Sequence, residues 1–188
     1  MAKSRKRNNN NKNPDDLAAK VEKTIYINRV SKVVKGGRRF NFTAMVVAGD
    51  KEGKVGVGFG KANQVPNAIK KAQDKARVSM ISAPIQEGTI PHNVVGKYSA
   101  TKIVFRPAAP GTGVIASSTV RAILDAAGYN NVLTKVIGSN NPHNVVRATL
   151  NALQKLESPE QYAARVGKPI DEVMKTYTVG SQVWKSHN

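Results

Sequence analysis

From Lys23 the chain is patterned for β-structure. Residues 24–30 (Thr-Ile-Tyr-Ile-Asn-Arg-Val) and 40–48 (Phe-Asn-Phe-Thr-Ala-Met-Val-Val-Ala) are rich in β-branched and aromatic side chains. Residues 49–53 gather Gly49, Asp50 and Gly53 into a turn cluster. Residues 54–60 then alternate strictly, with Val55, Val57 and Phe59 on one face and glycines on the other. A glycine face lets another backbone approach closely. The three segments predict an antiparallel meander. Pro66 suits the first turn of a following helix. Val65, Ile69, Ala72, Ala76 and Met80 recur at steps of three and four as its apolar stripe. The first unit is therefore expected to be βββα.

Pro84, Gly88 and Pro91 mark residues 84–91 as a connection. Strands are expected at 89–98 and 99–107, their prolines placing them at sheet edges or strand ends. A loop at 108–113 leads to a helix over 117–127, with Val120, Ile123, Leu124 and Ala127 on one face. Ser117 or Ser118 caps its start and Gly128 its end. A strand at 132–138 precedes a helix from Pro142 to about Leu156, with Asn141 as N-cap. Ser158-Pro159-Glu160-Gln161 is a capping box opening a short helix that Gly167 ends. One more turn is expected around Ile170 to Met174. The second unit is β-β-α-β-α with an extension, so the chain is α+β with two domains. The expected boundaries are a basic arm at 1–19, domains at 20–83 and 84–166, and a tail at 167–188.

Charge changes the picture from fold to partner. The 188 residues carry a net charge of +18. Residues 1–83 hold 19 Lys and Arg against 6 Asp and Glu, and the remainder 11 against 6. Such an excess favours a polyanion partner, with the front half as its main contact. The connection between the first two strands concentrates this feature: Lys32, Lys35, Arg38 and Arg39 flank Gly36 and Gly37 with no acid among them. The glycines permit a tight reversal and a close approach of backbone to ligand. A solvated hairpin tip is the plainer reading of the same residues. The arm at the N-terminus and the lysine-rich face of the first helix (Lys70, Lys71, Lys75, Arg77) leave the same two readings open.

Other chemistries find little support. There is no cysteine for disulfides or thiolate metal sites, as in a reducing compartment. His92, His143 and His187 lack metal-ligand spacing. No long apolar run, basic amphipathic helix with an aromatic face, or secretory signal is visible. Residues 49–54 resemble a P-loop, one residue short and followed by Val55 where a magnesium-binding Ser or Thr belongs. Residues 56–60 resemble a dinucleotide loop but lie within a strand. Residues 110–119 loosely resemble the phosphate loop of the galactokinase–homoserine kinase superfamily, with Ile115-Ala116 in place of a Leu-Gly pair and no convincing catalytic carboxylate. The few aromatics form no RNA-stacking signature, which favours recognition of shape and phosphate over single bases.

Several motifs occur in order: Gly37-Arg38-Arg39-Phe40-Asn41-Phe42-Thr43-Ala44 through Asp50, Gly53-Lys54-Val55-Gly56-Val57-Gly58-Phe59-Gly60-Lys61-Ala62, Pro110-Gly111-Thr112-Gly113-Val114, Val132-Leu133-Thr134-Lys135, and Gly138-Ser139-Asn140-Asn141-Pro142. Together they resemble the family of bacterial small-subunit ribosomal protein number five, over about residues 20–167. Ser117-Ser118-Thr119 departs from the family's usual glycine pair. The resemblance implies a double-stranded-RNA-binding-like first domain and a second domain sharing the fold of that kinase superfamily. It implies a structural, non-enzymatic, cytoplasmic component of the small subunit that uses no cofactor. Its implied partners are 16S ribosomal RNA and ribosomal proteins four and eight. Contact with the RNA is implied for Arg29, Ser31, Lys32, Lys35, Gly36, Gly37, Arg38, Arg39, Lys54 and Lys61, with the 29–39 segment reaching the neck near the spectinomycin site. Contact with protein four, which bears on decoding accuracy, is implied for Gly111, Gly113 and Arg121. A free double-stranded-RNA-binding regulator and a small-molecule kinase are the alternatives.

Overall fold

The computed structural model describes residues 19–170, 172 and 173; the expected basic arm, all but its last residue, and most of the expected tail lie outside them. Among the described residues, two four-stranded sheets and four helices of eight residues or more make up the fold. The first sheet holds β1 (Val21–Val34), β2 (Gly37–Gly49), β3 (Lys54–Ala62) and β4 (Ile81–Ser82) in that order, all antiparallel. Helix α1 (Val65–Val78) covers one of its faces. The second sheet holds β5 (Val94–Tyr98), β6 (Thr101–Pro107), β8 (Val132–Gly138) and β7 (Val114–Ile115) in spatial order, with β7 parallel to β8. Helices α2 (Ser118–Ala127), α3 (Pro142–Gln154) and α4 (Pro159–Val166) belong to this second unit.

The alternation in β3 does what its pattern implies. Gly56, Gly58 and Gly60 face the small residues Ala76, Ala72 and Ala68 of α1. A Cβ on each glycine would lie 2.1, 1.9 and 1.9 Å from the alanine carbonyl oxygen opposite. Strand and helix therefore pack backbone to backbone. Ala68, rather than Val65, heads the fully buried row, with Val65, Ile69 and Met80 partly buried beside it. Two-residue spacing fixes the opposite face: Val55 and Val57 turn into the main core with Met45 and Val47.

That core is continuous between the sheets. It joins Met45, Val47, Val55 and Val57 to Ile103, Phe105, Val120, Ile123 and Leu124. Each fully buried large side chain contributes roughly 1.5–3 kcal/mol. Helix α2 seats its last turn on the β2–β3 connection, where Lys51 N–H and Gly53 N–H donate to the carbonyls of Ala126 and Ala127 at 3.1 and 2.9 Å. A Cβ on Gly128, which ends the helix at φ 98°, would lie 2.2 Å from the Lys51 carbonyl.

Several local expectations need correction. β5 begins at Val94, not residue 89, because Pro91 supplies no N–H and Thr89 instead closes a bridge to Gln86. β4 and β7 are two residues each, too short to leave a periodic trace. Ser117 occupies the N-cap of α2 without its hydroxyl accepting a bond. The caps of α3 and α4 form as expected: Asn141 Oδ1 accepts from His143 N–H at 3.1 Å, and Ser158 and Gln161 close a reciprocal capping box. After Gly167, Ile170, Glu172 and Val173 are helical; Asp171 and Met174 lie outside the described residues.

Candidate nucleic-acid interface

β1 and β2 stay paired out to Val34 opposite Gly37, whereas β3 pairs with β2 only from Phe42 onward. The outer hairpin therefore projects as a two-stranded arm, about 17 Å long at ~3.3 Å per residue. Lys35 and Gly36 make the reversal, Gly36 at φ 93°, so Gly37 opens β2 instead of sharing the turn. Side chains alternate along the arm. Lys32 lies directly opposite Arg39 on one face, while Arg29 and Arg38 fall on the other with Ser31, Val33 and Phe40. The Arg29 guanidinium lies 3.7 Å from the Phe40 ring centroid, which holds the cation in place and exposed.

Like charges directly opposite each other on a hairpin oppose pairing, and nothing on the arm offsets them. No acid lies between Glu22 and Asp50. Among the described residues, the ion pairs involve Lys20–Glu52, Arg77–Glu22, Arg165–Glu157 and Lys168–Glu172, none on the arm.

The structure separates the remaining expected contacts. Lys61 lies opposite Thr43 at the foot of the arm. With Asn41, Asn63, Asn67, Lys70 and Lys71 it borders an open groove of about 680 Å³. Lys54 sits at the other end of β3 and on the other face, about 23 Å away along the strand. It does not join the arm. Two cations of the first helix serve the fold. Lys75 Nζ donates to the Phe59 carbonyl at 3.1 Å, and Arg77 Nε donates to Glu22 at 2.7 Å. Hydrogen bonding and charge from Glu22 raise the Arg77 guanidinium above its ordinary value. Of the lysine-rich helix face, Lys70 and Lys71 therefore border the groove, and sequence spacing alone does not separate them from Lys75 and Arg77.

Gly111, Gly113 and Arg121 come together elsewhere, before and within α2. The Gly111 and Gly113 amides both donate to Asn131 Oδ1, at 3.1 and 3.0 Å, and Arg121 Nη2 donates to the Val114 carbonyl at 3.1 Å. A phosphate held by this loop would need those same amide donors, and Asn131 already engages them. Both glycines have positive φ and open space around them, so the loop presents bare backbone at the surface. Among the described residues no cluster of three or more His, Asp or Glu is placed to hold a metal ion, and no helix is long and apolar enough to cross a membrane.

The sequence pattern described as "Ribosomal protein S5, N-terminal domain" matches residues 21–84, and "Ribosomal protein S5, C-terminal domain" matches residues 96–166. The chain belongs to the ribosomal protein S5 family. Relatives agree. The chain is 54% identical over 153 residues to "Small ribosomal subunit protein uS5" of Salinibacter ruber, covering 81% of this chain and 87% of the relative. It is 52% identical to the protein of that name from Syntrophobacter fumaroxidans, covering 81% and 92%, and 50% identical to the one from Aquifex aeolicus, covering 83% and 75%. In this S5 chain the two matched segments correspond to the two sheets and the helices packed on them, with β4 inside the first segment and β5 beginning just before the second.

Proposed function

We propose that this protein is a structural component of the small ribosomal subunit that binds 16S ribosomal RNA through the β1–β2 arm. The observation that carries the reading is the arm: a projecting ribbon with Arg29, Lys32, Lys35, Arg38 and Arg39, no acid, and a glycine turn at its tip. Opposed cations lose their mutual repulsion when phosphates lie beside them, and neutralising those phosphates releases counterions. Gly36 and Gly37, with no atom within 4 Å of a built Cβ, let the tip lie against a sugar-phosphate surface. Ser31 adds a hydroxyl on the arm and Lys61 extends the basic track at its foot. Lys54 contacts RNA only at a second, separate point.

In this reading residues 20–83 and 84–166 act as two domains, one gripping RNA in the neck and the other meeting ribosomal proteins. The Gly111–Gly113 loop and Arg121 form the surface for ribosomal protein four, which links this chain to decoding accuracy. Ribosomal protein eight is the second protein neighbour. Together these contacts hold the head of the subunit against its body. Hydroxyl-radical footprinting of small-subunit RNA tests the arm. The full chain is expected to protect a compact set of neck nucleotides that Lys32→Glu/Arg39→Glu leaves exposed. Identical footprints from the two proteins would overturn the assignment.

A further inference from the structure

At the foot of the arm the structure brings together aromatic rings that are far apart in the sequence. Phe59 of β3 and His143, at the first turn of α3, stack with centroids 4.8 Å apart and planes 20° from parallel. Their stack walls a small cavity of about 160 Å³, with Met45 beneath, Tyr26 on the arm side, and Lys61 and Lys75 at the rim. Tyr26 is 42% exposed, and His143 is exposed as well. Only one face of the His143 ring is used by Phe59. Lys75 is fixed by its bond to the Phe59 carbonyl, which holds its ammonium at the rim with two N–H groups free of that bond.

We propose that this cavity receives one unpaired RNA base, which stacks on the aromatic wall while Lys61 and Lys75 meet the flanking phosphates. The volume suits a single base and is too small for a whole nucleotide, so sugar and phosphate stay outside, at the level of the lysines. Protein aromatics hold splayed bases in this way, because every base offers a π-face. Thr43, whose hydroxyl donates to the Asn28 carbonyl at 3.3 Å, adds an oxygen to the lining and gives a base edge something to meet. The site deepens the proposed RNA-binding role and rests on it. It adds one base contact to the recognition of shape and phosphate that the scarcity of aromatics favours. Residues 26, 59 and 143 show no shared motif and meet only when the first turn of α3 reaches Phe59.

The test measures binding of the full chain to two short RNA hairpins, one fully paired and one carrying a single bulged nucleotide. Wild type is expected to prefer the bulged hairpin at least about fivefold, the lower end of what one stacked base contributes. His143→Ala is expected to abolish that preference, leaving affinity for the paired hairpin unchanged, and His143→Tyr to keep it. Equal affinity of wild type for both hairpins, or parallel losses on both in His143→Ala, would each overturn the base site. Failure to bind either hairpin would instead overturn the RNA-binding role itself.

Discussion

Gly58 stands where α1 and β3 touch through their backbones, and a Cβ there would lie 1.9 Å from the Ala72 carbonyl oxygen. A carbonyl inside a helix yields only if the helix shifts. Gly58→Ala should therefore destabilise the fold by about 1–3 kcal/mol, the range for overpacking. Thermal denaturation should show a lower Tm, and an unchanged Tm would refute the close-packing account. Tyr129 offers a second residue-scale test. Its ring is buried and its hydroxyl donates to the Pro84 carbonyl at 2.9 Å. Burial raises the phenol well above its ordinary value of 10.0. In the unfolded chain the phenol ionises near that ordinary value, whereas in the folded chain it keeps its proton. The unfolded state then binds fewer protons, so stability present below about pH 10 falls as pH rises further. Tyr129→Phe should lessen that alkaline fall in denaturation profiles measured from pH 8 to 11. The glycine alternation of β3 is legible in the sequence, because period two needs only local residues. The phenol's partner is 45 positions away, and nothing local announces it.

At the scale of elements, the loop before α2 depends on one side chain. Asn131 Oδ1 accepts from both Gly111 and Gly113. Asn131→Ala should leave these amides without their protein acceptor and cost about 1–2 kcal/mol. Hydrogen exchange should accelerate at Gly111 and Gly113 while the α2 interior stays protected; unchanged exchange would contradict the clasp. Helices with capping residues were open to prediction because their signals are local, as Asn141, Ser158 and Gly167 show. The two-residue strands β4 and β7 were not, since pairing with β3 and β8 creates them. The arm is an intermediate case. Its strands and charge are visible along the chain, but its projection follows from β3 stopping opposite Phe42, a tertiary fact. For the same reason Lys54 and Lys61, seven residues apart on one strand, belong to different surfaces. Their odd spacing already implies opposite faces.

The whole molecule combines a shared core with an asymmetric charge. Two sheets meet through α2, and the residues buried between them form one cluster, with a smaller one between the first sheet and α1. The described chain should therefore unfold in a single cooperative step, with calorimetric and van't Hoff enthalpies equal. Two resolved transitions would contradict a shared core. The charge, by contrast, lies largely on the first unit, and among its described residues Lys32, Lys35, Arg38 and Arg39 gather at the outer end of the arm. The central claim is that this arm neutralises RNA phosphates, and it is tested most directly by the salt dependence of binding. Affinity for 16S ribosomal RNA should be measured against potassium chloride for wild type and for Arg38→Ala/Arg39→Ala. Each lost phosphate contact should reduce the log–log slope by about 0.7–0.9, so the variant should be shallower by about twice that. An identical slope in the two proteins would contradict the arm as the RNA-binding element.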